Sequence, residues 1–401
     1  MKCQQIKKEI DSVRKKINKE LDRLERATMQ QVDKLISSCT INITKERDKC
    51  DSIQENMQCL SKVVNEVCNK SSKLLFIALE KYQQQIKDSE LFLKESKVTH
   101  EYDIQFALSN DIEKYLFQMT GLGKVVYPNK VISLQKKSEY SVTMSTESSE
   151  CCTYAICELP TGETLVLDYR NKKVKLLDTK YQFLSTCEVS YYSYDMCLIS
   201  PSEVVVTTNG KSGDGGLQII SVSNERLEKG SKLQLPHKCV GISHHEDALY
   251  VTSGCALYQY TLTGTVVKKL YEDTTGDNTV YSCAVNLNGD KIYVTNMADH
   301  NLLTLDKDGN VISTFTDIVL KGPRGVHVTT LGQVLVCGET GNAIIQVDID
   351  GKKKLATLAN NKDVINNPRS VFYSSSTDSV IVGLASNYNI MVFKVTEAET
   401  K

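Results

Sequence analysis

At 401 residues, with 41% hydrophobic and 24% charged residues, the chain is long enough for two or more domains and can bury a sizeable core. Its formal net charge of -1, balanced in both the first 120 residues and the remainder, excludes bulk charge as a means of drawing in nucleic acid or a membrane. The longest uninterrupted apolar run, Leu74 to Leu79, falls far short of the ~20 residues that span a bilayer, so no membrane partner is expected.

The N-terminus passes directly into charged sequence without the apolar core of a signal peptide, which leads to the expectation of a cytoplasmic location with the 14 cysteines reduced. Those cysteines are scattered and form no C-x2-C pair with ligands downstream, so neither a metal centre nor any other cofactor is expected, and buried thiols are the simpler reading. The triplets beginning at Asn42 and Asn69 have glycosylation spacing but fall in expected helix, where they read as chance matches.

All 21 Gly and 6 Pro lie after residue 120, and a Lys-, Glu-, Gln- and Leu-rich segment without breakers defaults to helix. Ile36, Cys39, Ile43, Glu46, Cys50, Ile53, Met57, Leu60, Val64 and Val67 step alternately by three and four, a heptad seam with one polar intruder at Glu46. The apolar members of that seam are the candidate oligomerisation residues. An earlier seam through Ile6, Ile10, Val13, Ile17, Leu21 and Leu24 is out of register with it, which places a stutter near residues 25 to 35. A continuous helix to about residue 96 would be roughly 140 Å long, and an apolar seam of that length favours self-association, in a direction the pattern leaves open. A second helical piece is expected over 98 to 119, with Asn110 and Glu113 at capping-box spacing and Gly121 as the stop. The domain reading is therefore a coiled coil over 1–120, a linker over 121–137 and a globular part over 138–401.

The globular part repeats. Thr164–Asp168, Glu203–Thr207, Ala248–Thr252, Lys291–Thr295, Gln333–Cys337 and Ser379–Gly383 are one strand pattern recurring every 39 to 46 residues. Repeats of ~40 to 45 residues holding four short strands are propeller blades, so the fold class is a long coiled-coil helix followed by a six-bladed β-propeller. The stretch 321–351 supplies most of the fifth blade. Asn171, Asn301 and Asn342 are expected to adopt the left-handed conformation of a hairpin turn, with Asp308-Gly309 and Asp350-Gly351 forming the next turns. The last repeat contains three strands and Glu139 to Met144 is a spare one, so pairing of the two ends would close the ring.

The Pro323-Arg-Gly-Val326 opening, the Tyr293-to-Asn296 run and the Asn-x-x-Ile-x-Val-Asp closing strand resemble NHL-type six-bladed propellers. A long coiled coil before such a propeller resembles the tripartite-motif (TRIM) family, particularly the invertebrate TRIM-like proteins. The resemblance implies an antiparallel coiled-coil dimer and a propeller that binds protein partners or, on an electropositive face, RNA. The family's ubiquitin-ligase activity resides in a RING that precedes the coiled coil together with B-box zinc modules. This sequence has the Cys/His clusters of neither, which leads to the expectation that it is not an enzyme, although the resemblance keeps a link to the ubiquitin pathway.

Ligands of propellers sit on inter-strand loops, and Pro236-His237-Lys238, Pro323-Arg324 and Pro368-Arg369 each place a cation just after a proline. Lys238, Arg324 and Arg369 are expected near the channel mouth, sharing a basic or hydrogen-bonding surface with Arg170, Lys172 and His300; otherwise each is a turn residue with its cation in solvent. His244 to Asp247 suggests a metal cluster on paper, yet reads as a solvated turn because neighbouring strand residues face opposite ways. No Ser/His/Asp, Cys/His, P-loop or dinucleotide pattern is present, so no catalytic residue is assigned. The partners expected are a second copy of the chain through the coiled coil and a protein ligand on the propeller. The alternative ligand is single-stranded RNA, with Tyr191, Tyr192 and Tyr194 as stacking residues.

Overall fold

The computed structural model describes residues 2–68, 71–95, 131–147, 149–189, 192–210, 214–329 and 332–397. Two compact units meet near residue 125, the first helical and the second built from six four-stranded antiparallel sheets.

In the helical unit, α1 spans Lys2–Val67 and α2 spans Ser72–Glu95. The expected single helix to about residue 96 is thus divided. The break precedes Ser71 and Ser72, short polar residues whose side chains compete for backbone hydrogen bonds and suit a helix start better than a helix interior. The Ser71 carbonyl accepts the first bond of α2 from Leu75 N at 2.9 Å. Helix α2 runs back along α1, placing Lys49 Nζ 4.4 Å from the centre of the Phe92 ring. Ile53, Met57, Leu60, Val64 and Val67 are accordingly half-buried, whereas Ile36 and Ile43 remain 51% and 56% exposed and Cys50 is exposed as well. Cys39 is intermediate, and Cys59 and Cys68 are exposed, so the thiols of this unit are not the buried ones the sequence suggested. The expected piece over 98–119 with Asn110 and Glu113, and Gly121, lie outside the described residues.

Each of the six repeated segments is the second strand of its sheet, flanked by an inner strand on the channel side and two outer strands. In blades 1, 5 and 6 this second strand is buried at every residue, at Thr164–Asp168, Val334–Gly338 and Ser379–Leu384. Sheets covered on both faces by neighbouring blades need apolar residues on both faces, which explains runs such as Leu165-Val166-Leu167 and Val380-Ile381-Val382 that do not alternate. The core consequently lies between blades, as where Leu165 and Leu167 pack with Val204, Val206 and Ile220.

The turns between the second and third strands correct one expectation. The left-handed residue is Lys172 in blade 1, His300 in blade 4 and Asn342 in blade 5, all with φ between 50° and 56°. Asn342 matches; Asn171 and Asn301 stand one position away from or beyond the left-handed residue. Asn171 instead donates its amide to Asp168 Oδ2 at 2.8 Å. The Asp closing the third strand organises the following turn, since Asp306 Oδ1 accepts from the backbone of Asp308 and Asn310 at 2.9 Å each, and Asp348 Oδ1 does the same for Lys352 and Lys353. Gly309 then takes φ +95°, where a Cβ would stand 2.0 Å from the Leu270 carbonyl oxygen of the adjacent blade.

The ring closes as the spare strand suggested. Ile132–Ser141 pairs antiparallel with Asn389–Glu397 and becomes the outermost strand of blade 6. It begins at residue 132, inside the stretch first taken as linker, and Ile132 N also donates to Gln346 Oε1 of blade 5 at 3.0 Å. Closure removes the edge that Asn389–Glu397 would otherwise present. A chain lacking Ile132–Ser141 should therefore lose the single cooperative melt of the propeller followed by circular dichroism, and a melt like the parent's would contradict closure through this strand.

Candidate functional site

The inner strands of all six blades surround a central cavity of about 320 Å³. In blades 2, 3 and 4 a threonine hydroxyl near the end of the second strand helps to set their positions. Thr207 Oγ1 accepts from Asp195 N at 3.0 Å and donates to Val240 O of the next blade at 3.3 Å. Thr252 Oγ1 likewise accepts from Gly241 N at 2.7 Å and donates to Tyr281 O at 2.5 Å, and Thr295 Oγ1 accepts from Ser282 N at 3.0 Å and donates to Arg324 O at 2.9 Å. A single threonine thus fixes the inner strand of its own blade and of the following one, and the last acceptors in this series are mouth residues. Close approach of these strands also explains Pro-x-Gly: a Cβ on Gly325 would stand 2.8 Å from Arg369 O and 2.9 Å from Ser370 Cα. Thr295→Val keeps the shape but leaves a buried N–H and a carbonyl unpaired, so it should cost about 1–3 kcal/mol in chemical denaturation.

Blade 1 puts Asp168 where these threonines stand, and with it comes a buried charge network. Asp168 Oδ1 accepts from Cys152 N at 3.0 Å, and Lys175 Nζ lies 2.8 Å from Asp168 Oδ2, 2.7 Å from Glu147 Oε2 and 3.4 Å from Cys151 Sγ. Burial alone would pull the Lys175 ammonium down, but Asp168 and Glu147 outweigh it and hold its pKa above the ordinary value. Glu147, Cys151 and Asp168 have the spacing of metal ligands. The ammonium of Lys175 already occupies the position between them, so the cluster reads as a structural ion pair tying the 142–151 loop to blade 1.

At one end of the cavity, Arg324, Arg369 and Glu339 form a bridged triad. Arg324 Nε donates to Glu339 Oε2 and Arg369 pairs with Glu339 Oε1 at 2.6 Å. The guanidiniums donate further to Tyr281 and Tyr154 hydroxyls and lie over aromatic faces, Arg324 at 5.0 Å from the Tyr281 ring and Arg369 at 4.7 Å from the Tyr154 ring. Tyr154 continues into an aromatic wall, with ring centres 4.5 Å from Tyr169 and 5.8 Å from Tyr194, and exposed Lys238 sits 5.5 Å from the Tyr194 ring. Lys238 is set by its neighbour His237, stacked on Tyr258 and bonded to the Tyr260 hydroxyl at 2.7 Å.

Of the cations named from sequence, Arg324 and Arg369 come together and Lys238 borders the same wall. Their guanidinium side chains are only 15% and 17% exposed, so they do not point freely into solvent. The other three are placed elsewhere. Arg170 donates to Ser386 Oγ at 2.9 Å and pairs with Glu150, while His300 Nδ1 accepts from Gly322 N at 3.2 Å. Lys172 occupies the equivalent left-handed turn position of blade 1. These three recur because the hairpin recurs, and none lines the cavity. Sequence reasoning missed Tyr154, Tyr281 and Glu339; the signal available for the tyrosines was their place at the start of the inner strand, just upstream of a second-strand repeat, and for Glu339 its place two residues after one. Among the stacking candidates, Tyr194 is in the wall, Tyr192 is exposed and Tyr191 lies outside the described residues.

Deeper in the channel, Asp195 stands where neighbouring blades carry Gly241 and Ser282. Its carboxylate accepts from Met196 N at 2.9 Å, Ile242 N at 3.1 Å and Ser282 Oγ at 3.4 Å, reaching from blade 2 to blade 4. Enclosure by the channel pushes its pKa up from 3.8 to about 7, more than these donors pull it down. His327, packed on Phe372 with ring centres 4.6 Å apart, is held by burial at about 4 and is therefore neutral at physiological pH. His244 also lines the cavity, and His245 turns away to Leu287 O at 3.0 Å, so the pair faces opposite ways. A carboxyl that binds its proton more tightly when folded loses stability as pH rises from the unfolded value through the folded one. The stability of Asp195→Asn relative to the parent should consequently improve by about 1–3 kcal/mol between pH 5 and pH 8, read from denaturation at both values.

No family model matches this sequence, and no curated protein does. Solved structures do. A Bacteroides thetaiotaomicron protein of unknown function is similar over 65% of this chain and 77% of its own, with 12% identity and a TM-score of 0.51. Virginiamycin B lyase from Staphylococcus aureus is similar over 65% of this chain and 99% of its own, with 11% identity and a TM-score of 0.46. A luciferin-regenerating enzyme is similar over 66% and 97%, with 14% identity and a TM-score of 0.49. At these identities the likeness is one of fold alone, that of the six-bladed propeller. The expectation that the chain is not an enzyme is corrected here, because the solved structures it resembles include enzymes and the fold therefore does not exclude catalysis. Among the described residues no helix is long and apolar enough to cross a membrane.

Proposed function

We propose that the chain is a TRIM-like scaffold of the cytoplasm, two copies joined through α1 so that paired propellers capture protein partners at their channel mouths. The observation that carries this is the heptad seam. Ile36 and Ile43 stand 51% and 56% exposed in the single chain, and Ile10, Val13, Leu21 and Leu24 extend apolar exposure along the earlier seam. Folding back of α2 covers the 49–67 half of the seam, which leaves the N-terminal half as the surface a second chain would bury. Propeller folds commonly mediate protein binding, and a mouth combining tyrosines with arginines has the residue types enriched where binding energy concentrates. Duplication would raise affinity for a partner with two epitopes without any new contact.

Light scattering of the full chain should give twice the mass of one chain. Ile36→Asp combined with Ile43→Asp should give the single mass while the propeller melt is unchanged, since two carboxylates in a seam cost more than pairing returns. A parent chain that is monomeric at micromolar concentration would remove the basis of the scaffold.

A further inference from the structure

We propose that the channel mouth is a receptor for a carboxylate on a protein partner, an aspartate or glutamate side chain seated against Arg369 and Arg324. The inference deepens the scaffold reading and rests on it for the class of partner.

Charge is the first observation. Two guanidiniums share one carboxylate, Glu339, whose side chain is only 12% exposed, so the triad carries one unmatched positive charge in a largely enclosed position. Enclosure makes such a charge costly unless it is met by an anion. Hydrogen-bonding capacity is the second. Each guanidinium offers five N–H groups, against the two oxygens of Glu339 and the hydroxyl oxygens of Tyr154 and Tyr281. Arg369 Nε is buried and has no hydrogen-bond partner among the described residues. The hydroxyl protons of Tyr154 and Tyr281 likewise donate to none of them, and burial keeps both phenols neutral, Tyr281 being pushed up to about 12. Donors exceed acceptors, and the missing partner is an acceptor-rich anion. A planar carboxylate fits because it accepts two parallel bonds from a guanidinium fork.

Two features favour a single carboxylate on a peptide over the phosphates of RNA. The surplus is one charge, whereas an RNA strand requires a groove of cations following its backbone. Among the described residues the cavity lining also holds no Lys or Arg besides Arg324 and Arg369, so a second phosphate entering more deeply, toward Asp195, would meet no cation. The wall of Tyr154, Tyr169 and Tyr194 offers apolar area for the residues flanking the acid.

The test uses the full chain and an array of terminally capped heptapeptides, each sequence made with Glu, Gln and Lys at the centre, read by fluorescence anisotropy beside a short oligouridylate. Glu peptides should bind about tenfold or more tightly than their Gln analogues, and Arg369→Gln should remove that preference. Glu339→Gln raises the surplus charge and should tighten Glu peptides several-fold, a gain that loss of structure would not produce. Equal binding of Glu and Gln peptides, or weaker Glu binding by a folded Glu339→Gln, overturns the inference. Gln or Lys peptides bound best, and lost in Arg369→Gln, overturn it while leaving protein capture at the mouth standing. Oligouridylate bound with steep salt dependence in place of the peptides overturns both. Binding of none of these probes overturns the carboxylate receptor, and the scattering result then decides separately whether the paired scaffold survives.

Discussion

The hydroxyl that ends the second strand of blades 2, 3 and 4 is the contact on which the channel depends. Thr207, Thr252 and Thr295 each accept from the inner strand of their own blade and donate to the inner strand of the next. The apolar side chains packed between blades resist separation but do not fix rotation about the ring axis. A directional bond does fix it, and the two later threonines hold the backbones of Tyr281 and Arg324 at their carbonyls. At Tyr281 and Arg324 the geometry of the mouth is in this sense set one blade upstream.

Charge is handled differently at two places in the propeller. Around Lys175 one ammonium meets Asp168 and Glu147 and donates to the Val142 carbonyl, while Cys152 N donates to Asp168, an arrangement in which removal of any member strands the others in a low dielectric. At the mouth two guanidiniums meet one carboxylate and leave Arg369 Nε unpaired. The first arrangement matches its buried ammonium with carboxylates and is structural. The second lines the central cavity and carries one positive charge more than its carboxylate matches, which is why it, and not the more metal-like cluster of Glu147, Cys151 and Asp168, is the candidate site.

The helical unit adds a separate constraint. The helix is divided before Ser71 and Ser72, and α2 returns along the half of the seam that follows Lys49. Part of the heptad pattern is therefore satisfied within one chain, leaving Ile36 and Ile43 as the strongest exposed positions. A heptad repeat does not distinguish a helix of the same chain from one of another, because either buries the same stripe.

Sequence by itself determined the six blades, the buried second strands and the closing pair of termini, because each is written as a local pattern: apolar runs, turn residues at fixed offsets, and one strand too many at the start for one too few at the end. It also named Lys238, Arg324 and Arg369, whose setting just after a proline marks them as entries to blades 3, 5 and 6. It likewise named Arg170, Lys172 and His300, which stand in the recurring hairpin between second and third strands, Lys172 and His300 as its left-handed residues, and do not line the cavity. Only the tertiary structure decided that Glu339 bridges two arginines from different blades, that Tyr154 lies against Arg369 some 215 residues away, and that Asp195 replaces Gly and Ser on the channel wall. Those relations join residues remote in the chain through ring closure, and a pattern with a period of a few residues contains no information about which blades end up side by side.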